Sequence, residues 1–357
     1  MKNMNDAYDI AIIGLGPAGA SLARLLAPSF KIISIDKKFN PNSTFTKPCG
    51  GLLATDAQKA LSKFNLTLPK EVLVDPQIFA VKTIDTKQNL MRYYQRFYIN
   101  IDRHKFDTWL KNLIPNHVSI ISGALCKNIE SHNNIYEVTY SAEGEEHKIN
   151  TKYVIGADGS NSIVRKDLFP HRKIAKYVSI QEWFSEQHQI PFYSSIFDKD
   201  ITDSYCWSIS KDGYFILGGA FKPNGCKQKF ELLKDKLKNQ GFNLGEPVKI
   251  EACLVSMPRG LSDFCVAKDN AFLIGEAAGF ISPTSLEGIS YALNSAYNLA
   301  TVLNLSCKNP AKKIRMKSIP MRVKLLFKYF KAPFMYNSFL RKIIMKSGIK
   351  SIKVMER

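Results

Sequence analysis

No two of the seven cysteines in this 357-residue chain are spaced as C-x-x-C, and their number is odd. That argues against a disulfide framework and reads as reduced thiols of the cytosol; no metal site is expected. No run approaches the roughly 18 apolar residues of a membrane-spanning helix. The apolar stretch DIAIIGLGPAGASLARLLA is not read as a signal peptide, because Asp6 and Asp9 stand where a basic start belongs and glycines interrupt the core. Internal repeats, low-complexity segments and a second G-x-G-x-x-G are also missing. Acid is scarce at one end only: residues 308–357 hold 15 of the 50 basic residues and one of the 31 acidic ones, Glu356. The body is therefore nearly neutral and the tail strongly basic.

What is present is ordinary globular composition, 45% hydrophobic and 23% charged, in a chain long enough for two domains. YDIAIIG reads as a buried strand, PAGASLARLLA as a helix and KIISID as a second strand, the opening of a βαβ unit. A short helix is expected over 55–64 with Thr55 as N-cap. QIFAVKTID and MRYYQRFYIN read as paired strands. In IDRHKFDTWLKNLI, Phe106, Trp109, Leu110 and Leu113 share a helical face. Residues 171–262 are strand-rich with a helix near 229–239, and LEGISYALNSAYNLATVL is a long helix. The expected class is α/β: a nucleotide-binding domain from 1–75, 97–170 and 264–305, interleaved with a mostly antiparallel sheet domain from 76–96 and 171–263. A basic helical tail, 306–357, follows.

GLGPAG places Gly14, Gly16 and Gly19 on a strand-to-helix turn. The first permits the turn, the second lets a pyrophosphate reach the backbone, and the third lets the helix pack on the strand. Asp36 ends the next strand, where a carboxylate takes ribose hydroxyls. This motif by itself leaves NAD and FAD open.

Two further segments favour a flavin. GADGSNSIVR puts Asp158 and Gly159 after a strand, and LIGEAAGFISPTSLEGISYAL puts Gly275 and Glu276 after another, then Pro283, then Gly288 and Ile289 at a helix start. With the glycine turn, these make residues 7–305 resemble the FAD-binding oxidoreductases of the aromatic-hydroxylase and geranylgeranyl-reductase type. The resemblance is strongest to a bacterial branch whose substrates are less firmly assigned than its flavin. It implies a fold of the glutathione-reductase type and FAD as cofactor. It places Gly14, Gly16, Ala18, Gly19, Asp36, Lys37 and Leu125 at the ADP half of FAD. It places Arg103, Asp158, Gly159, Gly275, Glu276, Pro283, Gly288 and Ile289 further along the cofactor. The family usually has Asp where Glu276 stands. A helix start at Gly288 and Ile289 would also favour the negative pyrimidine edge of a reduced flavin.

In the geranylgeranyl-reductase branch a C-G-G segment lies against the flavin ring, which the resemblance carries to Cys49, Gly50 and Gly51 in TKPCGG. Proton donation, substrate positioning and packing stay open for Cys49, and Lys47 is the expected influence on its thiol. A Y-x-W segment of that branch, here Tyr205 and Trp207, lines a lipid tunnel; Thr202 and Ser210 replace the branch's flanking prolines. Cys49, Tyr205 and Trp207 are the catalytic candidates.

In the tail, YNSFLRKIIMK puts Tyr336, Phe339, Leu340, Ile343 and Ile344 on one helical face and Arg341, Lys342 and Lys346 on the other. Pro320 and Pro333 are expected to separate its pieces. A basic amphipathic helix suits an anionic membrane surface, a packed cap is the alternative, and nucleic acid ranks last. The leading expectation is a cytoplasmic reductase, peripheral on the inner face of the membrane. It would saturate carbon–carbon double bonds of an isoprenoid lipid, with NADPH or NADH visiting as reductant. A flavin monooxygenase and a non-catalytic flavoprotein binding lipid or nucleic acid are the alternatives.

Overall fold

A computed structural model describes residues 7–37, 48–185 and 192–355. They form two compact units. Met1–Phe45, Asp107–Ala175 and Ser256–Phe327 make the first, and Thr46–Phe106, Lys176–Val255 and Lys328–Arg357 the second. The class is the expected one, α/β with C-terminal helices.

In the first unit five strands run parallel in the order Val118–Ser122, Ile32–Asp36, Ala7–Ile13, Glu145–Gly156, Ala271–Leu273. Residues 10–13 and 32–35 are buried without alternation, as strands covered on both faces must be. The strand Glu145–Gly156 also extends into an antiparallel meander with Ile135–Ala142 and Leu125–His132. The helix Pro17–Leu25 packs on Ile289–Asn304. Asn304 closes its carboxyl end: its Nδ2 donates to Leu25 O at 2.9 Å and its Oδ1 accepts from Ala27 N at 3.0 Å.

The second unit is built on a sheet ordered Lys249–Met257, Ala175–Ser185, Tyr214–Phe221, Cys206–Lys211, Tyr193–Phe197, Ile78–Asp85, Leu90–Asn100, Ser351–Ile352. The pairing of Tyr193–Phe197 with Ile78–Asp85 is parallel, and the other described registers are antiparallel. The helix Cys226–Lys238 covers one face with Phe230, Leu233 and Leu237.

Three local expectations change. Residues 48–75 and 97–106 belong with the second sheet, because Leu52 and Leu53 pair with Asn100 and Ile99, and Leu73 bridges Ile101. Thr55 is the first helical residue; the carbonyl of Ala54 takes the Ala57 and Gln58 N–H groups instead. Pro333 does not break the tail, since the helix Ile319–Tyr336 passes through it. The break comes at Asn337, whose Oδ1 accepts from Phe339 N and Leu340 N at 3.0 and 3.1 Å and so starts the helix Ser338–Ser347.

Candidate functional site

The parallel strands of the first unit end level with one another. Ile13 lies beside Ile35 on one side and Gly156 on the other, and Gly156 lies beside Leu273. Whatever follows those ends is gathered along one edge, where open α/β sheets bind ligands. There the structure brings together Gly14, Asp36, Asp158 with Gly159, and Gly275 with Glu276.

Packing explains most of the glycines. Gly14 has φ +93°, and a Cβ there would lie 2.8 Å from Asp158 Cα. A Cβ on Gly19 would strike the Gly14 carbonyl oxygen. Gly275, at φ +56°, lies against Ala18, whose Cβ would be 3.0 Å from an added one. Its N–H donates to Ser295 Oγ at 2.9 Å, tying the turn to the long helix. Gly16 differs: nothing of the protein lies within 4 Å of where its Cβ would be. That open space sits at the start of a helix with no side-chain cap, which is the cradle a pyrophosphate needs.

Asp158 gives a second test of the cofactor. Its Oδ2 accepts from Ile163 N at 2.7 Å. Its Oδ1 is shut off from solvent and has no partner among the described residues. Burial pushes its carboxyl up to about 6. An orphaned acceptor is costly, and a hydroxyl of a bound cofactor would satisfy it. These features fit FAD.

Other expected contacts are already engaged within the protein. Asp36 pairs with Lys111 Nζ at 2.6 Å, both almost fully buried, so its charge is compensated from inside. Glu276 Oε1 accepts from Ser256 N at 2.7 Å. At the helix Ile289–Asn304, Glu287 accepts from Ser290 N and Ser290 Oγ at 2.8 and 2.9 Å. A carboxylate thus sits beside Gly288 and offsets part of the positive helix end. Pro283 lies in the turn that Ser282 and Glu287 close, with Ser282 N donating to Glu287 O at 2.9 Å. Lys37 is exposed at the end of the Asp36 strand. Leu125 is 42% exposed and opens the strand that follows the Ala124 N to Asp36 O bond.

Arg165 was missed as a site residue. It is buried and donates from Nε to Arg172 O at 2.7 Å, from one terminal nitrogen to Ala277 O at 3.0 Å, and from the other to Asp263 O at 2.7 Å. It thereby fixes the turn that carries Glu276. Its signal was the arginine ending GADGSNSIVR.

In the second unit Gly50 is open, whereas a Cβ on Gly51 would strike the Ile101 carbonyl oxygen and come within 2.6 Å of Lys211 Nζ. The missing side chain at 51 is therefore required by the protein's own packing. Cys49 is half-buried, and Gly51 N donates to its Sγ at 3.4 Å. Lys47 lies outside the described residues. The lysine beside this segment is Lys211, buried and donating to Asn100 Oδ1 and Ile101 O at 2.6 Å each and to Gly51 O at 3.4 Å. Burial lowers it to about 8, against the opposing pull of Cys49, Asp102 and Asp212. Nothing in the sequence pointed to it, because 160 residues separate it from Gly51.

Tyr205 and Trp207 do share a face, with ring centroids 5.7 Å apart. Both are buried, and Trp207 lies flat on Gly218, where a Cβ would come 2.5 Å from the indole. Phe197 stands 6.1 Å from Tyr205 and 6.0 Å from Tyr336. Burial raises the phenols of Tyr193, Tyr205 and Tyr336, so all three stay neutral. Lys211 has the same parity on the strand Cys206–Lys211 as Trp207. The C-G-G segment is thus tied to the far end of the aromatic face, about 13 Å along the strand. Arg103 is half-buried at the first position of the helix Arg103–Asn112, whose opening turn Asp102 caps through Lys105 N at 2.9 Å.

Comparison with known proteins bears on the family and the fold. The FAD binding domain family matches residues 128–217. Protein CbrA of Escherichia coli O6:H1 is 50% identical over 97% of this chain and 94% of its own. A geranylgeranyl bacteriochlorophyll reductase-like protein from Thermoplasma acidophilum superposes with a TM-score of 0.79 at 17% identity, covering 95% of this chain and 90% of that one. The p-nitrophenol 4-monooxygenase PnpA of Pseudomonas putida DLL-E4 gives 0.71 at 14% identity, covering 97% and 94%. At such identities the two structures speak for the fold alone.

Proposed function

The chain belongs to the CbrA family and has the fold of an FAD-dependent oxidoreductase, and from that premise we propose that it reduces carbon–carbon double bonds of an isoprenoid or polyprenyl lipid. The observation that carries this reading is the buried row of Tyr193, Phe197, Tyr205 and Trp207. It offers flat apolar surface with neutral phenols, which suits a hydrocarbon chain. The reductase-like name of the Thermoplasma relative in fold is in keeping with it.

Gly14, Gly16 and Asp158 would hold the FAD, with Arg165 keeping the Glu276 turn in place. Reduced FAD would supply the hydride, and NADPH or NADH is the proposed electron source. Cys49 is the proposed proton donor, held by the Gly51 N–H, with Lys211 fixing the backbone behind it. Tyr205 and Trp207 would orient the substrate chain.

The test is anaerobic turnover of polyprenyl substrates with chemically reduced protein. A product heavier by about two mass units supports the reductase. The monooxygenase reading draws on the fold shared with PnpA. It requires oxygen and a gain of about sixteen. Cys49→Ser is expected to keep its flavin spectrum and lose most of its turnover, and full activity in that variant would reduce Cys49 to packing.

A further inference from the structure

On the helix Ser338–Ser347, Arg341 and Met345 point inward while Phe339, Ile343 and Ile344 point out. Arg341 is 5% exposed. It pairs with fully buried Asp85, its Nε and a terminal nitrogen reaching Oδ2 at 2.8 and 2.7 Å. Its guanidinium carbon also lies 4.8 Å from the centre of the Phe197 ring. Met345 is buried beside it, and its carbonyl accepts from Arg92 Nε at 2.9 Å. Ser351–Ile352 then adds an edge strand against Tyr93 and Tyr94. This segment is therefore locked onto the second unit in one rotational setting. That setting turns Phe339, Ile343 and Ile344 to solvent, with Phe339 69% exposed. The preceding helix behaves likewise. Phe327, Phe330 and Phe334, spaced for one helical face, are all more than half exposed, and Val323 continues the stripe. Ile349, Val354 and Met355 add to the exposed apolar surface.

We propose that this C-terminal segment, residues 328–355, docks the protein onto an anionic lipid bilayer. Phe330, Phe334, Phe339 and Ile343 would enter the interface, and the lysines around them would meet lipid phosphates. Charge selects the occupant. The only acid in residues 308–357 is Glu356, and Lys331, Lys346, Lys350 and Lys353 are exposed among the apolar side chains. A soluble polyanion would use the lysines and leave the aromatic rings in water. A second copy of the chain would set the same positive charge against itself. A bilayer surface takes both at once: apolar side chains at the acyl boundary and cations at the phosphates. Among the described residues no helix is long and apolar enough to cross a membrane, so the contact is with one face. The proposal goes beyond the reductase reading and holds whatever the substrate is.

The test is co-sedimentation of the full-length flavin-loaded protein with vesicles of equimolar phosphatidylglycerol and phosphatidylcholine, and with phosphatidylcholine alone. Binding is expected to the anionic vesicles, at least about tenfold weaker to neutral ones, and reduced by added salt. The variant Phe330→Ser, Phe334→Ser, Phe339→Ser, Ile343→Ser changes exposed positions only. It is expected to keep its flavin and lose at least about tenfold in vesicle affinity. Lys346→Gln, Lys350→Gln, Lys353→Gln is expected to lose the preference for anionic lipid. Three results would overturn the proposal: no binding to either vesicle, binding indifferent to the apolar substitutions, or a dimer that those substitutions dissolve. The last would assign the surface to a second copy.

Discussion

At the scale of single side chains, two titratable groups shut off from water, the Asp158 carboxyl and the Lys211 ammonium, tie stability to pH. Asp158 has a carboxyl raised to about 6 by burial, above its unfolded value, so the folded protein holds the proton more tightly. Stability of the flavin-free protein is therefore greatest below the unfolded value and falls as pH rises from about 4 to about 6, by at most about 3 kcal/mol. Asp158→Asn should flatten that slope in denaturant titrations run across the window. The Asn oxygen must still accept from Ile163 N, which turns an N–H₂ donor toward the orphaned position. FAD affinity should then fall about tenfold, as read by fluorescence quenching. Lys211 runs the other way. Burial lowers it to about 8, so its cost is present at neutral pH and is relieved as pH rises from about 8 to about 10.5. Lys211→Met orphans the Ile101 carbonyl and Asn100 Oδ1, while the Gly51 carbonyl keeps the Ile101 N–H. We expect a loss of about 2–3 kcal/mol at pH 7, with the alkaline gain abolished.

At the scale of elements, one buried ion pair inside an aromatic setting sets the rotation of the helix Ser338–Ser347. Removing a single partner of such a pair leaves a buried charge uncompensated and typically costs about 3–5 kcal/mol. Asp85→Ala should therefore loosen the helix Ser338–Ser347 before anything else. Limited proteolysis should cut near Asn337 at least about tenfold faster while the flavin spectrum persists. Unchanged cleavage would mean that the edge strand and the Met345 carbonyl contact hold the segment by themselves. The same pair sets the rotation of that helix. Its amphipathic pattern left a membrane-facing and a packed apolar face open, and Asp85, more than 250 residues away, pulls the arginine in and turns Phe339, Ile343 and Ile344 out.

At the scale of the whole molecule, cofactor and fold should be thermodynamically linked. A ligand at about 100 times its dissociation constant stabilises by about 2.7 kcal/mol, which for a chain of this size raises the thermal midpoint by a few degrees. Wild-type protein should show that rise with FAD. Gly16→Val, placed where the protein leaves open space, should show neither the rise nor yellow colour, while its flavin-free midpoint stays near wild type. The sequence by itself determined the strand–turn–helix at Gly14 to Gly19, the strands before Asp158 and Glu276, the α/β class and the flavin family. These rest on short-range rules: apolar runs, glycine spacing, and motifs whose parts lie within a few residues of one another. It did not determine the partners of Asp36 and Glu276, the role of Lys211 behind Gly51, the clamp made by Arg165, or which face of the tail meets water. Only the tertiary structure decided those. Each depends on a buried charge or polar group finding a partner far away in sequence, and desolvation makes that partner obligatory without making it legible.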